Sequence, residues 1–367
     1  MRSLFRYPAW LLLGGWLLWS APGRGQCPPL PELARRFRAS LNLPDSVQFR
    51  ELRALMATYS RCRRPSDSLY ANIHHKLGKL FYQQGNIAQA IAYTRRAIAL
   101  RKGKPAAEAD AIASYLNLGL FLGPSTSASL DAYRQLIAWG QEHGSVLALA
   151  EAYSELCYFF FEQGEYETAI EHADLALIHA RQLSNPLITV GALENKSLAF
   201  KSLGNFSQAK LALEKALSTA YKYNLPVDKR ASLHVNLGTV LGRLGDNQGV
   251  VTQYEKAVEL YQQSGNSEQL ARVLNNLGFH YSTRTYNYTK AISFFEQAIH
   301  NYRDPYSKLR AYNNLGATYW YDRQFGKALD AYQRGFEVLG LGFKARDRSQ
   351  NPPAEFMRTV IRKEYLL

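Results

Sequence analysis

One triplet, returning at a fixed interval, constrains the fold of this chain more than any other feature. Asn-Leu-Gly stands at Asn117-Leu118-Gly119, Asn236-Leu237-Gly238, Asn276-Leu277-Gly278 and Asn314-Leu315-Gly316. Degenerate copies stand at Lys76-Leu77-Gly78, Glu155-Leu156-Cys157 and Asn195-Lys196-Ser197. The middle residues fall at 77, 118, 156, 196, 237, 277 and 315, a step of 38 to 41 residues. Self-similarity at such a period marks an array of stacked units, none of which buries enough surface to fold alone.

Within each copy the residue types describe a pair of helices. A bulky residue comes four places after the triplet's middle, as at Phe81, Phe160, Phe200 and Tyr319. A break follows, usually with a glycine (Gly85, Gly164, Gly204, Gly245). A left-handed residue ends a helix at low cost there. A second run then carries small residues at helical intervals, such as Ala169, Ala173 and Ala176, or Ala291 and Ala298, which lets two helix axes approach closely. Asn185-Pro186 and Asp304-Pro305 put a capping side chain before a proline at the first helical position. Copies two and six depart from the short turn, with Gly123-Pro124-Ser125-Thr126-Ser127 and Thr283-Arg284-Thr285-Tyr286-Asn287. The fold class expected is all-α.

This register resembles the tetratricopeptide-repeat (TPR) family over roughly residues 70–340. The resemblance implies a superhelical solenoid of about seven helix pairs whose concave face binds polypeptide. The repeat of about 40 residues is longer than the ~34 usual for the family and looks like the lengthened units of kinesin light chains. In the family, the residue just before the conserved leucine points into the concave face. Here that position holds Lys76, Asn117, Glu155, Asn195, Asn236, Asn276 and Asn314. A side-chain amide offers a donor and an acceptor and can pair with a peptide backbone without reading its sequence. The row resembles the asparagine ladders of O-GlcNAc transferase and kinesin light chains. The alternative role for these asparagines is structural, satisfying buried backbone where helices cross.

Arg272 and Arg310 each precede a ladder asparagine by four residues, and Arg243 ends the same stripe one repeat earlier. Cation and amide then share one helical stripe. The arrangement is similar in type to the carboxylate clamps of chaperone-binding members, without their full lysine–asparagine pattern. It implies an acidic or carboxylate-ended peptide as partner.

The net charge of +14 is uneven. Residues 26–110 hold 15 basic and 6 acidic side chains, residues 111–300 hold 14 and 17, and residues 301–367 hold 12 and 7. No nucleic-acid reading motif accompanies the basic part, which suits an anionic membrane surface better. Arg2 and Arg6 precede an apolar run, Ala9–Trp19, and small residues at Gly23 and Gly25. That is the pattern of a signal peptide over residues 1–25, cleaved before Gln26, so the chain is expected to be exported, periplasmic or secreted. The run is well short of the ~20 residues of a membrane-spanning helix. Cys27 and Cys62 flank the first helical segment and can close a disulfide in an oxidising compartment. Cys157 reads as a buried small residue.

Enzymatic patterns are absent. There is no metalloprotease helix motif, phosphate-binding Gly-Lys-Ser/Thr loop, dinucleotide glycine fingerprint or cysteine-pair zinc spacing. Adjacent His74 and His75 diverge by about 100° on a helix and cannot chelate one ion. No catalytic residue, metal or cofactor is expected.

The expected organisation is a signal peptide over 1–25, a helical cap over 26–69, the repeats over 70–340, and a segment over 341–367 that opens a further repeat. With its exported start, the chain also resembles the N-terminal repeat region of bacterial proteins in which such repeats precede a caspase-like CHAT domain. That resemblance, with sensor kinases or regulators as competing parentage, implies a regulatory half whose effector lies elsewhere.

Overall fold

The computed structural model describes residues 27–62, 68–101, 108–123, 125–340 and 344. Residues 1–25, expected to be a signal peptide, and the segment over 341–367, apart from residue 344, lie outside the described residues. Every regular element among those described is an α-helix. The helices gather into two compact units, dividing after Asn117.

The first unit holds α1 (Leu30–Ser40), α2 (Asp45–Arg61), α3 (Ser68–Gln83), α4 (Ile87–Arg101) and most of α5 (Glu108–Leu122). Its core joins Leu33 and Phe37 of α1 to Leu52, Leu55 and Tyr59 of α2 and to Ile73, Leu77 and Leu80 of α3. The spacing of three and four residues along each helix turns these side chains to one face. Cys27 and Cys62 are joined by a disulfide, tying the start of α1 to the end of α2.

The second unit continues with α6 (Ser127–His143), α7 (Val146–Glu162), α8 (Tyr166–Leu183), α9 (Pro186–Ser202), α10 (Phe206–Lys222) and α11 (Val227–Arg243). It ends with α12 (Asn247–Ser264), α13 (Ser267–Thr283), α14 (Tyr288–Asn301), α15 (Pro305–Tyr321) and α16 (Phe325–Glu337). Consecutive helices pack on one another from α6 through α16, and first helices of neighbouring pairs also touch, α7 on α9 and α13 on α15. One core cluster runs without interruption from Ala176 to Ala331. This is solenoid packing, in which each pair covers the apolar face of the next.

The glycine of the triplet has a packing reason. A Cβ at Gly238 would come within 2.6 Å of the Tyr254 ring, and one at Gly278 within 2.8 Å of the Phe295 ring. At Gly119, Gly238, Gly278 and Gly316 the first helix therefore offers bare backbone to an aromatic ring of the second, whereas Gly78 faces Thr94. Turn chemistry follows the residues. Gly204 and Gly245 adopt φ of 74° and 81°, and Asn205, Asp246, Asn266 and Asn287 then cap the next helix by accepting from a main-chain N–H. Asn185 and Asp304 cap α9 and α15 ahead of their prolines.

Candidate functional site

The first helix of each pair in the second unit sits beside the first helix of the next, and polar side chains link them. Lys229 of α11 pairs with Glu194 of α9. Asn314 of α15 donates to Asn275 of α13 at 3.1 Å, and the Ser282 and Thr318 hydroxyls lie 3.0 Å apart between the same helices. These links make the first helices one continuous face.

The ladder asparagines lie on that face, half-buried. Asn195, Asn236 and Asn276 make no hydrogen bond through their amides among the described residues, whereas Asn314 is committed to Asn275. Asn117, also half-buried, belongs to the first unit. In the degenerate copies the chemistry changes. Lys196 replaces the core leucine and pairs with Asp174 at 2.5 Å. Glu155 takes the asparagine's place, accepts from the Tyr133 hydroxyl at 3.4 Å, and has its carboxyl pushed up by burial. Glu151, one turn earlier on α7, is likewise pushed up by burial. Neither carboxylate makes an ion pair among the described residues.

The three arginines do not form one group. Arg272 and Arg310 are exposed and act on the same buried phenol, Tyr302, together with the carboxylates of Glu268 and Asp304. Nearby acids thus offset their charge. Arg243 lies at the opposite end of its helix. It stands 11 residues beyond Ser232, the register equivalent of Arg272, or about 16 Å along the axis. It lines a cleft of about 390 Å³ with Thr239 and Gly242 of α11, Tyr254 of α12, and Asn276, Phe279, His280 and Arg284 of α13. No acidic side chain lines this cleft.

Sequence reasoning missed Arg284 and a second regular feature of the same face. Two places after the triplet's middle residue stand Leu120, Tyr158 and Phe279, which are 46%, 42% and 53% exposed. Large apolar side chains normally leave water, and these three share one register position, with the free amide of Asn276 one turn before Phe279 and Glu155 one turn before Tyr158. The signal lay in the same 40-residue register, at a position the triplet does not include.

In the first unit, Arg35, Arg38, Arg50, Arg53 and Arg61 are exposed, and Arg36 pairs with Glu51 at 3.3 Å. His74 and His75 are both buried. His75 Nδ1 lies 2.9 Å from Ser114 Oγ, which donates to the Asp110 carbonyl and accepts from Arg101, so His75 is the donor in its pair. Among the described residues no group of three or more histidine, cysteine or acidic side chains is arranged to hold a metal. No helix there is long and apolar enough to cross a membrane.

Family models of the tetratricopeptide repeat match residues 71–103, 190–223 and 229–304. The chain carries tetratricopeptide repeats. Solved structures share the tetratricopeptide architecture. BtubC (BKLC) from P. vanneervenii is 22% identical over 60% of this chain and 92% of its own, with a TM-score of 0.52. The apo form of the quorum sensor NprR from B. thuringiensis is 14% identical over 84% and 86%, with a TM-score of 0.59. A signal-transduction ATPase with numerous domains and a tetratricopeptide-repeat sensor, from Pyrococcus horikoshii, is 14% identical, with a TM-score of 0.61. That match covers 86% of this chain and 54% of the ATPase, so the chain spans about half the ATPase's length. At these identities the likeness is one of fold.

Proposed function

We propose that this tetratricopeptide array is a non-enzymatic scaffold that holds an extended stretch of a partner polypeptide along the first-helix face of its second unit. The observation that carries the reading is the exposure of Leu120, Tyr158 and Phe279 at one register position of the first helices, with the unpaired amide of Asn276 one turn before Phe279. Apolar contact supplies adhesion at about 25 cal/mol per Å² buried, and the amides orient a backbone. Charge sets direction: unpaired Glu151 and Glu155 on α7 suit a basic residue, and Arg243 and Arg284 suit an acidic group towards α11 and α13. Phe279→Ala combined with Asn276→Ala should weaken the partner about tenfold or more with helical content unchanged. An undiminished affinity would refute the reading.

Export belongs to the proposal and is supported by the Cys27–Cys62 disulfide, a bond that persists in oxidising compartments. N-terminal sequencing of the native protein should begin at or near Gln26, and a start at Met1 would remove this part. The stripe of Arg50, Arg53 and Arg61 on α2 supports contact of the first unit with anionic lipid. Flotation with phosphatidylserine vesicles, abolished by replacing those arginines, is the check. The regulatory reading, with an effector domain encoded downstream, draws on the segment outside the described residues and is tested by sequencing beyond the Leu367 codon.

A further inference from the structure

In the pairs α3–α4, α7–α8 and α13–α14, the ring four places after the triplet's middle residue lies against a ring of the second helix. Phe81 meets Tyr93 with centroids 5.1 Å apart, Phe160 stacks on His172 at 4.9 Å, and Tyr281 stacks on Phe294 at 5.5 Å. The pairing keeps a fixed register. Phe294 comes one residue before Phe295, the ring that covers Gly278, and Tyr93 comes one residue before Thr94, which faces Gly78. In the last pair Tyr332 is the ring against Gly316, so the partner of Tyr319 belongs at position 331. That position holds Ala331.

The surroundings of Tyr319 otherwise repeat those of Tyr281. Lys327 lies over its ring at 5.6 Å, as Lys290 lies over Tyr281 at 5.1 Å. The Tyr319 hydroxyl donates to Glu296 of α14 at 3.4 Å, and the ring is half-buried. Beside it opens a cleft of about 310 Å³, lined by Tyr312 and Tyr319 of α15, Glu296 of α14, and Lys327, Ala331 and Arg334 of α16. A cavity of about 150 Å³ is enough to hold benzene. Phe200 also lacks a partner ring, its partner position being Ala212, but there Lys196 replaces the core leucine and lies over the ring at 5.6 Å. Beside Tyr319 the core leucine is kept, as Leu315.

The charges of the cleft balance, Glu296 and Asp330 against Lys327 and Arg334, which suits a neutral ring better than an anion. Its rim is open, because Glu296, Lys327 and Arg334 are all exposed. A free small molecule is held where most of its surface is covered, whereas a side chain carried on a polypeptide needs cover for its ring alone.

We infer that this cleft is a docking site for a single-ring aromatic side chain, phenylalanine or tyrosine, presented by a partner polypeptide. The incoming ring takes the place against Tyr319 that Phe294 takes against Tyr281. The cleft lies between α14 and α16 and shares no residue with the Asn276 and Phe279 site. It therefore goes beyond the first-helix reading and stands or falls apart from it.

The test is saturation-transfer NMR of the full chain with N-acetylphenylalaninamide, its cyclohexylalanine analogue and free phenylalanine as probes. The first should bind, and the cyclohexyl analogue, similar in bulk but without a π face, should bind roughly three- to tenfold more weakly. Free phenylalanine should bind no better than the amide. Ala331→Phe supplies the missing ring from within, so it should raise the melting temperature and lower affinity for the amide at least about tenfold. Tyr319→Leu should lower that affinity roughly three- to tenfold, with circular dichroism confirming retained helix. Absence of saturation in the amide, equal affinity for the cyclohexyl analogue, indifference to Ala331→Phe, or a lowered melting temperature in that variant would overturn the site. Free phenylalanine binding at least about tenfold tighter than the amide would overturn the polypeptide as its source. Phe279→Ala and Asn276→Ala read the first-helix face separately and should leave binding of the amide unchanged.

Discussion

Asn314 donates its side-chain amide to the Asn275 side-chain oxygen at 3.1 Å, tying α15 to α13. Asn276, one residue along on α13 and one repeat before Asn314, has no such partner. The two rungs therefore separate structure from binding. Asn314→Ala should cost about 0.5–1.5 kcal/mol of stability through the lost hydrogen bond. Asn276→Ala should leave the melting temperature within error and weaken the partner. Chemical denaturation of both variants checks the difference, and equal destabilisation would return the whole ladder to a structural role.

The arginines divide in the same way. Arg243 and Arg284 share a cleft without acids, whereas Arg272 and Arg310 act on Tyr302 together with the opposing charges of Glu268 and Asp304. Alanine at Arg243 and Arg284 together should weaken an acidic ligand by at least about tenfold. The same double change at Arg272 and Arg310 should weaken it less, because their field is already partly offset. Affinity for one acidic peptide, measured at low and at moderate salt, decides between the pairs.

Two glycines in α11 should respond oppositely to alanine. At Gly238 the new methyl would meet the Tyr254 ring at 2.6 Å, and overpacking of that kind costs roughly 1–3 kcal/mol. At Gly242, the penultimate residue of α11, the methyl meets Val250 at 3.4 Å, and replacing a helical glycine by alanine stabilises by up to roughly 1 kcal/mol. Thermal melts of Gly238→Ala and Gly242→Ala should move in opposite directions.

His74 is buried among aromatic rings, with Tyr70 at 4.7 Å and Tyr93 at 5.3 Å between centroids, and neither of its nitrogens has a hydrogen-bond partner. Burial, then the Arg96 charge, lowers its pKa to about 4. Burial, then Arg101, lowers that of His75 to about 4. Between these values and the ordinary 6.5, the unfolded chain binds more protons than the folded one. Stability is therefore complete above pH 6.5 and is lost as pH falls towards 4. His74→Phe should raise stability at neutral pH by about 1–3 kcal/mol and flatten the acid limb of a melting-temperature profile.

The disulfide closes a separation of 35 residues. Chain-entropy reasoning gives such a loop roughly 3–4 kcal/mol. Cys27→Ser with Cys62→Ser should lower the unfolding midpoint of the first unit, with helical signal from the second retained. A reductant should reproduce the shift in the unmodified chain and leave the double variant unaffected.

Much of the fold was legible because local chemistry sets it. The triplet, the left-handed Gly204 and Gly245, and the caps at Asn185 and Asp304 act within one helix turn, so their spacing reports the structure directly. The candidate site was legible only in part. Asn276 and Arg243 were singled out by register, but Arg284 stands seven residues after Leu277 while Arg243 stands six after Leu237. That one-residue difference hides their convergence. Glu268 lies one turn before Arg272 on α13 and was readable from spacing, whereas the joint action of both arginines on Tyr302 depends on how turns bring helix ends together, which periodicity does not encode. Nor does period reveal that the triplet glycine admits an aromatic ring 16 or 17 residues later, as Tyr254 and Phe295 show.

The central claim is that a partner lies along the first-helix face of the second unit. Site-specific photocrosslinking tests it most directly, with a benzophenone amino acid placed singly at Tyr158, at Phe279 and at Leu211, which is exposed on the second helix α10. In extract from the native source, positions 158 and 279 should trap the same polypeptide and position 211 should not. Adducts equally strong at 211, or none at 158 and 279, would contradict the account.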